Sequence, residues 1–164
     1  MIALRFIITV VFLHISQVSF SQNDIQVKWL SFEQLEDSLA TQPKKVFIDF
    51  YADWCAPCLK MQKEVFTDSR IVRELNTNYY AIKMNVETQD TIVFGSQTFI
   101  NERINRRNPI HQIPLLMAQQ KNKPFSLPAL VFLDEHFEAT ARYFQYLNTK
   151  QFHDVLLAKR NRPN

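Results

Sequence analysis

Cysteine is nearly absent from this sequence: Cys55 and Cys58 are the only two in 164 residues. Two thiols cannot build the cross-linked framework of a disulfide-dense scaffold, nor a multi-cysteine zinc site. Glycine is rarer still, with Gly95 alone. Charge of either sign is scarce in excess: the net value is +3 and scattered, which argues against nucleic acid as a partner. No apolar run reaches the roughly 20 residues that a membrane-spanning helix needs. There is no internal repeat and no low-complexity tract. What remains is a length that suits one domain and an apolar fraction of 46%, ordinary for a globular protein.

The N-terminus has its own pattern. Arg5 supplies a positive start, Phe6 to Leu13 a short apolar core, and Ser19 and Ser21 small residues before a cut at Gln22. Residues 1–21 therefore read as a secretory signal peptide, leaving 22–164 as the domain. An uncleaved membrane anchor is the alternative. No cysteine lies near the cut, which argues against a lipid-anchored form. Export implies a periplasmic or otherwise extracytoplasmic compartment, where disulfides persist.

The most informative stretch is Lys45–Met61, KVFIDFYADWCAPCLKM. Val46, Phe47, Ile48, Phe50, Tyr51 and Ala52 form an apolar run without alternation, as expected of a strand buried on both faces. Asp49 is the one acid inside it. After Asp53-Trp54 come Cys55-Ala56-Pro57-Cys58, and then Leu59, Gln62, Val65 and Phe66 at helical spacing. The two cysteines thus stand where a strand hands over to a helix, with Cys55 at or near the helix N-terminus. Unpaired N–H groups and the positive end of the helix dipole favour an anion there. The thiol pKa of Cys55 is expected to fall below the ordinary value of about 8.5. Two intervening residues let the second sulfur fold back within bonding distance of the first. Pro57 is tolerated in a first helical turn, where its missing N–H would be unpaired anyway.

The remaining elements follow in order. Ile25–Leu30 is a predicted strand. Ser31 and Gln34 have capping-box spacing ahead of a helix to Ala40, with Phe32, Leu35 and Leu39 on one face. Thr67-Asp68-Ser69 interrupts the helix from Cys55 and caps a shorter one. Tyr79–Val86 is a strand. Thr91–Phe94 and Gln97–Ile100 form a hairpin around Gly95-Ser96, where a tight turn calls for positive φ. Asn101–Asn108, with Arg103, Arg106 and Arg107, is a loop, read as solvated rather than as a dock for an acidic partner. Pro109–Gln120 reads as a helix with Leu115, Leu116 and Met117 inward. Ala129–Leu133 and Glu138–Tyr143 are strands, and Asn148 and Gln151 cap a last helix with Phe152, Val155 and Leu156 inward.

VFIDFYADWCAPC resembles the active-site segment of the thioredoxin superfamily, a strand followed by W-C-x-x-C, and in that context the motif is a strong signal. The resemblance implies an α/β, thioredoxin-like fold: a central mixed β-sheet flanked by helices. A hairpin-plus-helix insertion, about residues 88–124, would precede the strand that begins after a cis-proline. It also implies roles. Cys55 is the nucleophile and Cys58 the resolving cysteine, joined as a Cys55–Cys58 disulfide when oxidised. Asp49 moves the proton of Cys58, and Lys83 tunes Asp49; the plainer reading is an acid that reaches solvent or pairs with Lys83. SLPALVFLD matches the family's proline-then-strand segment, so Pro128 is the cis-proline, ahead of its competitor Pro114. Leu127 offers its backbone to an extended substrate. Trp54 shapes the docking surface, while Tyr51 packs.

No metal and no cofactor is expected, since zinc usually wants four ligands. His111, His136 and His153 show no ligand spacing and read as surface or edge residues. The chain departs from the family in having Ala56-Pro57 rather than Gly-Pro between the cysteines, no His between them, and no glycines after the last strands. A His there stabilises the thiolate in oxidising members, so its absence leans towards a reductant. The expected function is an exported thiol–disulfide oxidoreductase that reduces disulfides in exported proteins. A membrane partner would supply the electrons, and a monomer is expected. The alternative is a thioredoxin-like binding or chaperone module in which the dithiol is incidental.

Overall fold

The computed structural model describes residues 26–160; the predicted signal peptide lies outside them. Strand β2 (Lys45–Tyr51) is the axis of the fold. It pairs in parallel with β3 (Tyr79–Asn85), in the register Phe47–Ala81 and Asp49–Lys83. On its other edge it pairs antiparallel with β6 (Ala129–Leu133), Asp49 facing Leu130 and Phe50 facing Ala129. The outer strands are β1 (Trp29–Leu30) beside β3 and β7 (Ala139–Tyr143) beside β6, giving a five-stranded mixed sheet in the order β1-β3-β2-β6-β7.

Helices cover both faces. α2 (Ala56–Glu64), α3 (Ser69–Asn78) and α5 (Thr149–Arg160) lie on one side. There Phe47 of β2 stacks with Phe132 and Phe152 at centroid distances of 5.1 and 5.2 Å and with Phe66 at 5.9 Å. α1 (Phe32–Thr41) and α4 (Gln112–Ala118) lie on the other, burying Phe32, Leu35, Ile113 and Ala118 against Val46, Ile48, Phe50 and Val131. A strand covered on both faces has no polar face to show, which accounts for the missing alternation in β2.

Caps fix the helix ends. Ser31 Oγ accepts from Gln34 N–H at 3.2 Å while Gln34 Oε1 accepts from Ser31 N–H at 2.9 Å. Asn148 and Gln151 make the same reciprocal pair at 3.0 Å each way. Asp68 caps α3 by accepting from Arg70 N–H at 3.0 Å, which separates α3 from α2 as the Thr67-Asp68-Ser69 signal predicts.

The segment between β3 and β6 is anchored at several points. The hairpin of β4 (Ile92–Phe94) and β5 (Gln97–Phe99) turns at Gly95 and Ser96, with φ of 60° and 59°. It docks on α1, whose Glu33 and Glu36 carboxylates accept from Val93 and Gly95 N–H. The loop 101–108 is closed by Asn101, whose Nδ2 donates to the carbonyls of Thr88 and Pro109 at 3.0 and 2.6 Å.

Three expectations need correction. The first strand is short because Asn76 of α3 takes backbone groups of Gln26 and Lys28 that would otherwise enter a ladder. α4 starts at Gln112 rather than Pro109, because His111 has extended backbone (φ −62°, ψ 154°) and is the N-cap, its side chain accepting from Ile113 N–H. Leu59 of α2 and Leu116 of α4 point outward, the inward positions being held by Met61 and by Ile113, Pro114 and Ala118.

Phe47 packs its ring against Trp29 of β1, Phe132 of β6, Phe66 beyond the end of α2 and Phe152 of α5. Phe47→Ala should lower stability by about 3–5 kcal/mol, a large share of a domain's usual margin. Denaturant unfolding checks this: the midpoint should fall with the slope unchanged. A loss below about 1 kcal/mol would contradict this packing.

Candidate active site

The chain leaves β2 at Tyr51 and enters α2 at Ala56. Between them Cys55 N–H donates to Ala52 O at 3.0 Å, a turn that folds Cys55 back over the strand end. Cys55 is the N-cap of α2, and its Sγ accepts from Cys58 N–H at 3.3 Å. Pro57 occupies the first turn, as expected. Cys55 and Cys58 are joined as a disulfide, both almost fully buried. Reduction would leave Cys55 Sγ as a thiolate beside the free N–H groups of a helix start, the setting that lowers a thiol pKa.

β6 approaches this point from the opposite direction. Its register against β2 sets the segment before Ala129 beside the end of β2. The peptide bond Leu127–Pro128 is cis; Pro114 lies in α4. Pro128 is buried and Leu127 half-buried; Leu127 packs against the cluster that holds Cys55 and Cys58. On the other side Trp54 is 68% exposed, and its Nε1–H donates to Glu87 Oε1 at 2.9 Å. Trp54, the cysteine pair and Leu127–Pro128 therefore meet at one end of the sheet.

Beneath them Asp49 is 1% exposed, and neither of its carboxylate oxygens has a hydrogen-bond partner. Burial without a partner disfavours the charged form and pushes the carboxyl pKa up to about 7, against a pull downward from Lys83. Lys83 does not bond Asp49. Its Nζ donates to Gln62 Oε1 at 2.9 Å and lies 4.7 Å from the Tyr51 ring centroid. The plainer expectation, an acid at the surface or paired directly with Lys83, is not what the structure contains.

Gln62 was visible in the sequence only as a polar residue on the inward stripe of α2. It holds Lys83, the cation that pulls on Asp49, and its own Nε2 is buried without a partner. His111 is the larger correction. It was expected at the surface and is fully buried. Its Nδ1 accepts from Ile113 N–H at 3.2 Å, capping α4, and its Nε2 faces Asp90 O at 3.2 Å. Burial pushes its pKa down, in keeping with an Nδ1 that accepts a hydrogen bond. Together with the bond of Val86 N–H to Tyr51 O, the His111–Val86 bond ties α4 to the end of β2. His136 and His153 take no part in this end of the sheet.

Residues 32–159 match the family model of a thioredoxin-like domain. The thiol:disulfide interchange protein DsbD of Vibrio vulnificus (strain CMCP6) is 32% identical over 120 residues, 73% of this chain and 16% of that protein. The chain spans about a sixth or less of the length of the interchange proteins it matches. Among solved structures, a thioredoxin from Thermus thermophilus shares the fold with a TM-score of 0.56 at 17% identity, over 82% of this chain and 87% of that one. A DsbH oxidoreductase gives 0.54 at 21%, over 84% and 87%.

The raised pKa of Asp49 has a sign that can be tested. The unfolded chain loses this proton near 3.8 and the folded chain near 7. The group's favourable contribution is whole below pH 3.8 and is lost as pH rises through about 7. Asp49→Asn removes the titration. Its stability gain over the wild type should therefore grow between pH 4 and 7 and level off above, at an amount on the order of 4 kcal/mol. Denaturant midpoints across that range measure it, and a gap that does not change with pH would contradict the assignment.

Proposed function

This chain belongs to the thioredoxin-like domain family, and from that premise we propose that it is a thiol–disulfide oxidoreductase working outside the cytoplasm, where it reduces disulfides in exported proteins. The observation that carries the reading is the Cys55–Cys58 disulfide at the start of α2, above a buried carboxyl that has no partner of its own.

Reduced Cys55, as thiolate, attacks one sulfur of a substrate disulfide; a Cys55–substrate bond forms and one substrate thiolate leaves. Cys58 then gives its proton to the Asp49 carboxylate and attacks Cys55 Sγ. The mixed disulfide breaks, the second substrate sulfur leaves as thiolate, and Cys55–Cys58 re-forms. Two electrons pass to the substrate. A carboxyl with a pKa near 7 is poised to take and return that proton at neutral pH. Lys83, held by Gln62 and Tyr51, sets how far Asp49 is raised. Leu127 presents its backbone to the substrate chain and Trp54 covers the flank.

The direction rests on the pair's own surroundings. No His stands between the cysteines to hold the thiolate, which favours a dithiol that gives electrons away. The extracytoplasmic setting is supported by the sequence pattern of residues 1–21 and by the likeness to interchange proteins. A membrane partner is the proposed source of electrons, and protein disulfides the proposed substrates.

Single substitutions separate this reading from a binding module with an idle dithiol. With dithiothreitol as electron source, Cys55→Ser should abolish reduction of a protein disulfide. Cys58→Ser, reduced beforehand and freed of dithiothreitol, should stop after one step and accumulate a mixed disulfide, seen as a mass shift that added reductant removes. Undiminished activity in Cys55→Ser would overturn the oxidoreductase assignment.

A further inference from the structure

A cleft of about 460 Å³ has Trp54, the chain neighbour of Cys55, on one wall with Val86 and Leu127. Its far wall comes from the segment between β3 and β6: Ile110 and Phe125 give an apolar surface, and Arg103 and Lys123 give two cations. The one acid in the lining, Glu87, already accepts from Trp54 Nε1–H. A second hollow of about 540 Å³ adjoins it through Arg103 and Asn108 and adds Arg106 and Arg107, with Glu102 as its only acid. Four cations thus stand against two acids. None of the four forms an ion pair among the described residues.

The cations are mounted on built backbone. Asn101 is 8% exposed and holds the loop from three sides: its Nδ2 bonds two carbonyls, and its Oδ1 accepts from Arg103 N–H at 3.0 Å. Arg106 N–H donates back to Arg103 O at 2.8 Å. Ile100 N–H is held by Gln112 Oε1 at 2.8 Å. On the opposite lip Gln119 Nε2 donates to Lys123 O at 2.7 Å. Fixing the backbone beforehand lowers the ordering cost of an ionic contact. Arg103 offers a planar fork suited to a carboxylate.

Trp54 adjoins Cys55 and Leu127 adjoins Pro128, so a chain whose disulfide lies over Cys55 would lay its flanking residues in this cleft. We propose that the cleft selects disulfide substrates with an acidic side chain near the reactive cysteine, the carboxylate meeting Arg103 and Lys123 and an apolar neighbour resting on Ile110 and Phe125. This rests on the oxidoreductase reading and adds to it a substrate class: acidic peptide disulfides.

The test uses peptide disulfides identical except for Glu, Gln or Lys at positions two to four residues from the cysteine. Wild-type kcat/KM should favour Glu over Gln by about five- to tenfold, and Lys should be slowest. The preference should shrink in 0.5 M salt. In the Arg103→Gln/Lys123→Gln variant the Glu-to-Gln ratio, taken within that one protein, should fall towards one. Equal rates for all three peptides, or a ratio unchanged in the variant, would overturn the proposal. Cys→Ser versions of the same peptides give a binding readout that needs no turnover. Tighter binding of the Glu form that is lost in the variant supports the cleft even if no disulfide is reduced, in which case the oxidoreductase reading alone falls. Equal binding of Glu and Gln forms overturns the cleft alone.

Discussion

Everything at the redox end hangs on one strand, β2, paired along both edges and covered on both faces. Its parallel partner β3 and antiparallel partner β6 are fixed in register by apolar side chains that a one-residue slip would turn to the wrong layer. That register brings the end of β2, the segment before β6 and the end of β3 to a single edge. The turn at Ala52–Cys55, the bond Leu127–Pro128 and the Tyr51–Val86–His111 hydrogen bonds all follow from it. The disulfide sits on a mount held by both neighbouring strands, so it can open and close while the aromatic cluster around Phe47 holds the sheet on α5 and on Phe66 beyond α2.

The same strand carries a costly residue of the core. Asp49 shares its face with Phe47 and would be cheaper as an apolar residue. The nearest cation is turned to Gln62 and the Tyr51 ring, which keeps Lys83 close enough to act through space without quenching the carboxyl in an ion pair. A direct pair would hold Asp49 ionised at neutral pH, and deeper isolation would hold it protonated. The arrangement leaves it between those limits. A local conflict with good packing, placed next to a reactive pair, is the usual mark of a working site.

Much of this was legible in the sequence because it is written in short-range signals. The unbroken apolar run of β2, the cysteines at its end, the Ser31/Gln34 and Asn148/Gln151 pairs and the Gly95 turn each depend on residues only a few positions apart. What was not legible depends on distant partners. His111 looked like a surface residue because nothing nearby reveals that the carbonyls of Val86 and Asp90 enclose it. Asn101 carried no local signal for its role in closing a loop. Leu116 was placed inward because apolarity alone does not say which side of a short helix meets the sheet. Lys83, named from the family resemblance, stands across from Asp49 in the register of β2 and β3, but its bond to Gln62 joins two elements whose approach only the packed fold defines.

The central claim is that this pair gives electrons to its substrates, and its reduction potential tests that most directly. Equilibration of residues 22–164 with thiol buffers of defined ratio, followed by alkylation and mass measurement, reads the potential of Cys55–Cys58. The account predicts a value near that of thioredoxin, about −270 mV. A value near about −120 mV, as in strongly oxidising proteins of this chemistry, would contradict it and reverse the direction of transfer.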